Sequence, residues 1–382
     1  MTGTPDSSRL HIVLAGERNS GKSSLLNAIA GQAVAIVSDT PGTTTDHISK
    51  PMEIVGLGPC VLVDTAGLDD TGELGDKRVE KSMDAIRTAD ILLIVVDAQT
   101  GRMPDLKGGT VIPVINKCDA ADGLSALKAA VKARYGKEPV CASALKHEGI
   151  TGILDSIRES IPEDWDAPLL TADLLGPGEL AVLVMPQDRQ APKGRLILPQ
   201  QQTIRELLDR GCRIMCCTPD TLESTISSLK ESPAAIISDA QALGKVKPLK
   251  PEGTRLTSFS MLLAASKGDI GYFKESARKI DFLTADSRVL IAEACTHVPA
   301  TEDIGRVQIP RMLRARAGEG LTVDVVSGRD FPANLGGYDL VIHCGACMFN
   351  RRYVLARVQQ AKEQKVPMTN YGVTIAYINN LL

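Results

Sequence analysis

Short apolar runs alternate with stretches of helical periodicity along the N-terminal part of the chain. The runs Arg9–Ala15, Ile91–Val96 and Val111–Ile115 have the length of buried strands, and Lys22–Ala30 has the pattern of a helix. Strands that alternate with helices form a parallel sheet covered by helices. The pattern therefore predicts an α/β domain, to which we assign residues 1–163.

A second alternation follows a segment of prolines, acids and glycines at 162–178, which is typical of a linker. Its elements are a strand at Leu180–Met185, a helix at Gln200–Arg210 and a strand at Ala234–Ser238. We predict a smaller α/β domain at 176–270. The cysteines of the apolar run Cys212–Cys217 are interpreted as buried in a strand. Since this part carries no candidate chemistry, we interpret it as a contact-making domain that pairs with a second copy.

The last part of the chain repeats the alternation. A helical stretch at Leu262–Arg278, with a break at Lys267–Asp269, leads into it. Its predicted elements are strands at Val289–Ala294, Leu321–Val326 and Tyr338–Ile342 and a helix at Arg351–Glu363. We predict a third domain, also α/β, at 280–382. The fold class is thus a P-loop domain with a parallel sheet, followed by two smaller α/β domains.

Composition places the chain among soluble globular proteins. It has 382 residues, 43% of them hydrophobic, and a formal net charge of -3, which argues against a nucleic-acid partner. We expect no membrane association, because no apolar run reaches the roughly 20 residues of a membrane helix and Met1–Arg9 lacks the pattern of a signal peptide. Nine clustered cysteines fit a reducing compartment, so a cytoplasmic location is expected.

A phosphate-binding loop lies between the first strand and the first helix. Residues Gly16–Ser23 read G-x-x-x-x-G-K-S. Backbone N–H groups of such a loop surround phosphate oxygens, its lysine neutralises the β and γ phosphates, and its hydroxyl binds Mg²⁺. The predicted nucleotide contacts in this segment are Asn19, Ser20, Gly21, Lys22, Ser23 and Ser24.

Three further motifs follow in the order expected of a guanine-nucleotide site. In the strand that ends Asp64-Thr65-Ala66-Gly67, Asp64 is placed to hold Mg²⁺ and Gly67 to contact the γ phosphate. In Asn116-Lys117-Cys118-Asp119, the carboxylate of Asp119 accepts from N1–H and the exocyclic amine of guanine, a pair of donors that adenine lacks. Ser143 and Ala144 supply a backbone contact to the guanine carbonyl. GTP and GDP are the predicted ligands.

The residue after Gly67 is Leu68, at a position where many GTPases have a water-orienting glutamine. We therefore expect slow hydrolysis and a role as a conformational switch. Glu73 and Asp76 follow in the second switch, and neither is assigned as the base. The catalytic residue stays unidentified.

The segment Pro41–Asp46 and the loop residue Asn19 resemble the corresponding parts of the tRNA-modification GTPases. The resemblance implies that Thr44 joins Ser23 and Asp64 as a Mg²⁺ ligand. It also implies that Asn19 binds a potassium ion, which supplies the charge otherwise given by an arginine finger and stimulates hydrolysis.

Two cysteine motifs follow strands of the last domain. Cys295-Thr296-His297 follows one apolar run, and His343-Cys344-Gly345-Ala346-Cys347 follows another. Ligands collect beyond the carboxyl ends of parallel strands, so the two motifs are expected to meet there. The residues alone leave a C-x-x-C dithiol, structural zinc, an iron–sulfur cluster and unrelated buried cysteines open.

Together with Asp303–Val307 and Ile309–Arg311, the two motifs resemble the C-x-H…H-C-x-x-C signature of the [FeFe]-hydrogenase maturation GTPases, the HydF family. The resemblance implies a [4Fe–4S] cluster on Cys295, Cys344 and Cys347, with His297 or His343 as a fourth ligand or an outer neighbour. It also implies a transient di-iron precursor as cargo. Implied partners are the radical SAM hydrogenase maturases, apo-[FeFe]-hydrogenase and a second copy of the chain in a homodimer. The alternative interpretation is a tRNA-modification or ribosome-associated GTPase with a structural zinc domain.

Overall fold

The computed structural model describes most of the chain, namely residues 6–31, 48–54, 57–69, 73–106, 109–161, 170–186, 196–294, 303–328 and 330–382. Contacts divide the chain into two compact units, Met1–Trp165 and Asp166–Leu382. No helix in the described ranges is long and apolar enough to cross a membrane.

The first unit is built on a six-stranded sheet. Its strands are β1 (Leu10–Ala15), β2 (Ile48–Ile54), β3 (Gly58–Asp64), β4 (Ile91–Asp97), β5 (Thr110–Asn116) and β6 (Val140–Cys141). Their order across the sheet is β2-β3-β1-β4-β5-β6, and all neighbours are parallel except β2 and β3. The carboxyl ends of β1, β3, β4, β5 and β6 therefore meet at one edge.

Helices cover this sheet because its central strands are apolar on both faces. They are α1 (Lys22–Ala30), α2 (Glu73–Arg87), α3 (Ser125–Tyr135) and α4 (Ile150–Glu159). Strand β4 is buried along its whole length, and its alternate residues enter two separate apolar cores. This division is the one expected of a sheet that is buried on both sides.

The second unit contains two four-stranded parallel sheets. The first has the order β10-β9-β7-β8. Its strands are β7 (Leu180–Val184), β8 (Arg213–Cys217), β9 (Ala235–Ser238) and β10 (Arg255–Ser258), and its helices are α5 (Leu198–Asp209), α6 (Leu222–Ser227), α7 (Leu243–Val246) and α8 (Phe259–Lys267).

The other sheet of this unit has the order β12-β11-β13-β14. Its strands are β11 (Arg288–Glu293), β12 (Thr322–Ser327), β13 (Leu340–His343) and β14 (Met368–Asn370), with helices α9 (Ile270–Ala277), α10 (Ile309–Ala317), α11 (Arg351–Glu363) and α12 (Tyr371–Ile378). One apolar core joins this sheet to Ala264 of α8 and Phe273 of α9. The predicted fold class is confirmed.

Two local predictions are wrong. The linker does not extend to Gly178, since Leu175 is buried and Thr171 donates to a carboxylate oxygen of Glu206 on α5 at 2.7 Å. The cysteines of the run Cys212–Cys217 are not uniformly buried either: Cys212 is buried, but Cys216 on β8 is exposed. Strand β8 lies at the edge of its sheet, so its side chains lack a neighbouring strand on one side.

Candidate functional site

The phosphate-binding loop connects β1 to α1 at the carboxyl edge of the first sheet. Its backbone is left-handed at Asn19 (φ 60°) and at Gly21 (φ 87°). A Cβ atom at Gly21 would lie 2.2 Å from the side-chain nitrogen of Asn116, so only glycine fits there. The hydroxyl of Ser20 is buried within the loop and has no hydrogen-bond partner in the described part of the chain. A buried polar atom of this kind suits a loop that is completed by phosphate oxygens.

Lys22 begins α1 and is buried with its ammonium turned back over the loop. Nζ donates to the carbonyl oxygens of Gly16 at 3.1 Å and Glu17 at 2.7 Å. The first turn of a helix also presents N–H groups to an anion. The Lys22 ammonium and the N-terminus of α1 therefore both place positive charge at the phosphate-binding loop.

Two of the predicted Mg²⁺ ligands lie side by side. The Ser23 hydroxyl donates to Oδ2 of Asp64 at 2.5 Å, and Asp64 is fully buried at the end of β3. A hydroxyl and a carboxylate are the oxygen donors that Mg²⁺ prefers, so the pair fits the ion. The third predicted ligand, Thr44, lies outside the described residues.

The guanine motifs are joined to the phosphate loop through Asn116, at the end of β5. Its side-chain nitrogen donates to the carbonyl of Ser20 at 3.0 Å, and its oxygen accepts from the backbone N–H of Ala144 at 3.1 Å. One buried amide thus fixes the loop after β1 and the loop after β6. The predicted contacts of these loops are brought together in space.

The structure adds Asp97, which belongs to none of the four nucleotide motifs. Lys117 has a left-handed backbone (φ 63°), and its Nζ donates to the carbonyl of Asn19 at 2.7 Å and to Oδ2 of Asp97 at 2.6 Å. Asp97 ends β4 at the edge where the other site residues lie. An acid at the carboxyl end of a buried parallel strand was the sequence signal for it.

Asp119 lies on the exposed side of the same pocket. A hydrogen bond from the Ser143 side chain is the main reason that the pKa of Asp119 is lowered below its usual value. The carboxylate therefore stays ionised and keeps its acceptor character for the two guanine donors.

These elements enclose a cavity of about 720 Å³. The predicted residues among its lining are Gly21, Ser24, Asn116, Lys117, Asp119, Ser143 and Ala144. Asn27, Leu145 and His147 also line it and were not predicted. The side chain of Leu145 is exposed, and His147 has a left-handed backbone (φ 55°).

Leu68, the residue after Gly67, is partly buried. Leu68 packs against the apolar core beside β4, and its N–H donates to the carbonyl of Gly16 at 3.4 Å. It offers no polar group to a water molecule. The side chains of Glu73 and Asp76 lie outside the described part of the chain, so no catalytic base is assigned.

A second candidate site lies at the carboxyl end of β13 in the other unit. Strands β11 and β13 are parallel neighbours, and Ala292 pairs with His343. Sγ of Cys344 accepts hydrogen bonds from the backbone N–H groups of Ala294 at 3.0 Å and Ala346 at 3.4 Å. Ala294 is bonded to Cys295, which itself lies outside the described residues together with His297.

His343 is fully buried beneath this loop, and both of its ring nitrogens have partners. Nδ1 lies 2.6 Å from the carbonyl oxygen of Cys344, and Nε2 lies 2.9 Å from Nη1 of Arg357 on α11. The carbonyl requires a proton on Nδ1 and the guanidinium requires a lone pair on Nε2, which fixes a neutral tautomer. Burial and the charge of Arg357 lower the pKa of His343 to about 3. In this arrangement both ring nitrogens of His343 are occupied by protein groups.

Cys347 lies between Cys344 and the start of α11, whose first turn is capped by the Asn350 side chain. Both cysteines are free thiols and are partly exposed. Within the described ranges no three His, Cys, Asp or Glu side chains come together in a group that could hold a metal ion. The third predicted cysteine, Cys295, is outside those ranges.

Comparison with known proteins separates the chain into three matched parts. A family model described as a 50S ribosome-binding GTPase matches residues 11–117. The hydrogen maturase F dimerization domain matches 170–268, and the hydrogen maturase F tetramerization domain matches 271–382. Together the last two cover more than half of the chain.

Curated relatives match the first unit. The tRNA modification GTPase MnmE of Nitratidesulfovibrio vulgaris (strain DP4) is 37% identical over 158 residues, and that of Thermosipho melanesiensis is 40% identical over 158 residues. Each alignment covers 39% of this chain and 34% of the relative, so the chain spans about a third of the length of these relatives.

Solved structures to which the chain is similar include a variant of Aquifex aeolicus Era bound to GDP and aluminium fluoride. Its TM-score is 0.37 at 21% identity, covering 63% of this chain and 97% of that one. The G domain of the Thermotoga maritima FeoB iron transporter has a TM-score of 0.31 at 21% identity, covering 40% and 99% respectively.

The parallel sheet, the phosphate loop and the matched GTPase model define a P-loop GTPase that binds GTP and GDP with Mg²⁺. The two models that match 170–268 and 271–382 both describe domains of hydrogen maturase F. The chain belongs to the hydrogen maturase F family.

Proposed function

We propose that this GTPase holds a [4Fe–4S] cluster through Cys295, Cys344 and Cys347, and that it is a scaffold and carrier for the di-iron part of the [FeFe]-hydrogenase active site. The observation that carries the proposal is the hydrogen bond from Ala294, the residue bonded to Cys295, to Sγ of Cys344. It supports a common position for the two cysteine motifs at the end of neighbouring strands.

The residues of the loop fit such a group. A sulfur atom that accepts two backbone N–H bonds is suited to carry negative charge as a thiolate, and hydrogen bonds to sulfur are usual around protein-bound clusters. Helix α11 begins four residues after Cys347, and the positive end of a helix favours a bound anion beside it. Tyr371 adds a buried hydroxyl that hydrogen bonds to no described residue, and the nearby Cys344 contributes to the raised pKa of this phenol, after burial.

When bound by three thiolates, a cluster supplies one iron that is open to an exchangeable ligand. The di-iron precursor would be the cargo that docks beside it. His343 donates from Nδ1 to the Cys344 carbonyl oxygen and is itself held at Nε2 by Arg357, and Asn370 donates to the same carbonyl oxygen at 3.1 Å. The protein's part is thus to fix the loop, while His297 remains a candidate for the fourth position.

The nucleotide site would act as a switch rather than as a source of chemical energy. The second switch begins at Leu68, which has no side-chain donor, so hydrolysis is slow without help. A potassium ion at Asn19 would supply part of that help. The bond from Lys117 to the Asn19 carbonyl keeps the orientation of this peptide fixed. GTP binding would then bias which partners dock.

The partners we propose are the radical SAM maturases that provide the precursor, the apo-hydrogenase that receives it, and a second copy of this chain. The two matched models, named for dimerization and tetramerization, support self-association. For the dimer we propose the edge of β8, where Met215 is 39% exposed beside the exposed Cys216. An uncovered apolar strand edge pairs readily with another strand. We further propose that the protein works in the cytoplasm.

The test is anaerobic purification of the full chain, followed by reconstitution and mixing with apo-[FeFe]-hydrogenase and the maturases. The proposal predicts bound iron and sulfide, and hydrogenase activity that depends on this protein. A colourless protein that holds zinc and activates no hydrogenase would favour a GTPase of the tRNA-modification or ribosome-associated class with a structural zinc domain. Omitting each maturase in turn separates loading from delivery.

A further inference from the structure

A buried lysine contacts the cysteine loop from the neighbouring helix. Lys267 is the last residue of α8, and its side chain is 6% exposed. Its Nζ donates to the carbonyl oxygen of Ala346 at 3.1 Å and to that of Phe349. The two acceptors lie on either side of Cys347. Ala346 has a left-handed backbone (φ 47°), so the lysine stabilises a strained turn between the two cysteines.

A second contact from the same helix reaches the loop one turn earlier. The side chain of Leu263 lies so close to Gly345 that a Cβ atom there would be 3.1 Å from its Cδ2 atom. Residues 263 and 267 are four apart and share one face of α8. Helix α8 falls within the range matched by the dimerization model, whereas the loop falls within the range matched by the tetramerization model. The two matched parts are therefore in direct contact at the cysteine loop.

The charge of Lys267 has no carboxylate partner in the described part of the chain. Both of its hydrogen bonds are to carbonyl oxygens. The loop that its Nζ contacts on both sides of Cys347 also carries the thiol of Cys344. A buried ammonium is unfavourable unless an opposite charge lies close to it. The surroundings of Lys267 are thus arranged for an anion that sits at the two cysteines.

We propose that Lys267 is a positioning residue and counter-charge for the thiolate-bound group at Cys344 and Cys347, and that it links helix α8 to that group. The inference rests on the proposed function, since it takes a cluster as the anion. A cation at this place stabilises the more negative, reduced state. Removing the charge therefore shifts the midpoint potential of the cluster to a more negative value and weakens its retention.

The test compares the full-length wild type with Lys267→Met, Lys267→Gln and Lys267→Arg. Lys245→Met is the matched control, because this lysine is 75% exposed on α7. Each protein is purified anaerobically and reconstituted with ferrous iron and sulfide. Iron and sulfide per chain, the midpoint potential from a redox titration followed by electron paramagnetic resonance, and iron release to a chelator are then measured.

The expected result is a more negative midpoint and faster iron release in the two neutral variants, with wild-type values in Lys267→Arg and Lys245→Met. Neutral variants with the wild-type midpoint and retention would overturn the inference. So would neutral variants that fail to fold before iron is added, because Lys267 would then be needed by the fold itself. If the wild type binds no iron and sulfide while all variants are folded, the proposed function fails instead.

Discussion

The backbone N–H of Ala294 donates a hydrogen bond to Sγ of Cys344 over 3.0 Å, and 50 positions of sequence separate the two residues. The contact exists because β11 and β13 are parallel neighbours whose carboxyl ends coincide. Because Ala294 is the residue before Cys295, this hydrogen bond joins the start of the upstream cysteine motif to the C-x-x-C loop.

Cys344→Ser should remove most of the bound iron and leave GTP hydrolysis at the wild-type rate. The change replaces the sulfur that accepts from Ala294 and Ala346, while the nucleotide site belongs to the other compact unit. Iron and sulfide content and hydrolysis rate are measured on the same preparation. Cys217→Ser, a half-buried cysteine of β8, is the matched control and should keep its iron. Equal iron in both variants would contradict the assignment.

Lys22→Ala should slow GTP hydrolysis by about 100-fold or more, because it removes the cation that neutralises the phosphates. Iron content should not change. Lys132→Ala is a suitable control, since this lysine is 62% exposed on α3. If GTP acts as a switch, the rate at which Lys22→Ala releases bound partners no longer depends on the nucleotide. A response that persists would exclude that role.

Asn19→Ala should abolish stimulation of hydrolysis by potassium without preventing nucleotide binding. The carbonyl of Asn19 is held by Lys117, so the loop backbone is retained when the side chain is shortened. Hydrolysis is compared in potassium and in sodium buffers at equal ionic strength. Wild type should be faster in potassium, and the variant should be equal in both. Continued stimulation of the variant would place the ion elsewhere.

Ser143→Ala should move the acid limit of GTP binding to higher pH. The hydrogen bond from Ser143 lowers the pKa of Asp119, so in the wild type the carboxylate protonates only as pH falls below the usual aspartate range. Without that bond, Asp119 is protonated at a higher pH, and its contact to guanine is lost at that higher pH. GTP affinity is measured between pH 3 and 7 by fluorescence titration, and the pH at which the affinity falls is compared between the two proteins. The same pH for wild type and Ser143→Ala would contradict the prediction.

Asp119→Asn should weaken GTP binding by about 10- to 100-fold, the range expected when a bidentate contact to a base is lost. The amide still accepts with its oxygen but opposes one guanine donor with a donor of its own. Xanthosine triphosphate presents a carbonyl where guanine has its amine, so it should bind the variant better than GTP does. Competition between the two nucleotides measures this exchange. Unchanged preference for GTP would remove Asp119 from base recognition.

Met215→Glu should raise the dimer dissociation constant by about tenfold or more, because it places a charge on the exposed edge strand β8. Light scattering after size-exclusion chromatography reports the mass. Leu208→Glu, a change of an exposed leucine on α5, is the control. A dimer that survives the first change and is lost in the second would move the interface to α5.

Sequence pattern predicts the regular parts of this fold well. The helices at Lys22–Ala30 and Arg351–Glu363 have the predicted bounds, and the break at Lys267–Asp269 separates α8 from α9. These segments combine strong periodicity with clear ends. Strand β2 was missed because it carries a lysine and a proline at the antiparallel edge of its sheet, and the three-residue β14 is too short to show a pattern.

Properties that depend on packing between distant segments were not predictable. Nothing local to Lys267 indicates that its ammonium is buried against the cysteine loop, because the contact spans 79 positions. The partner of His343 is likewise set by where α11 packs, through Arg357. Cys216 is exposed because β8 lies at the edge of its sheet. That position depends on the order of the strands in the folded sheet, which the local sequence does not contain. The nucleotide motifs were found from sequence because each is a short local segment with a fixed chemical role.

The most direct test of the central claim is the metal content of the full chain after anaerobic purification and reconstitution, determined together with its electron paramagnetic resonance spectrum. The account predicts about four iron and four sulfide per chain, with a signal on reduction that Cys344→Ser removes. About one zinc per chain, no sulfide and no signal would contradict it.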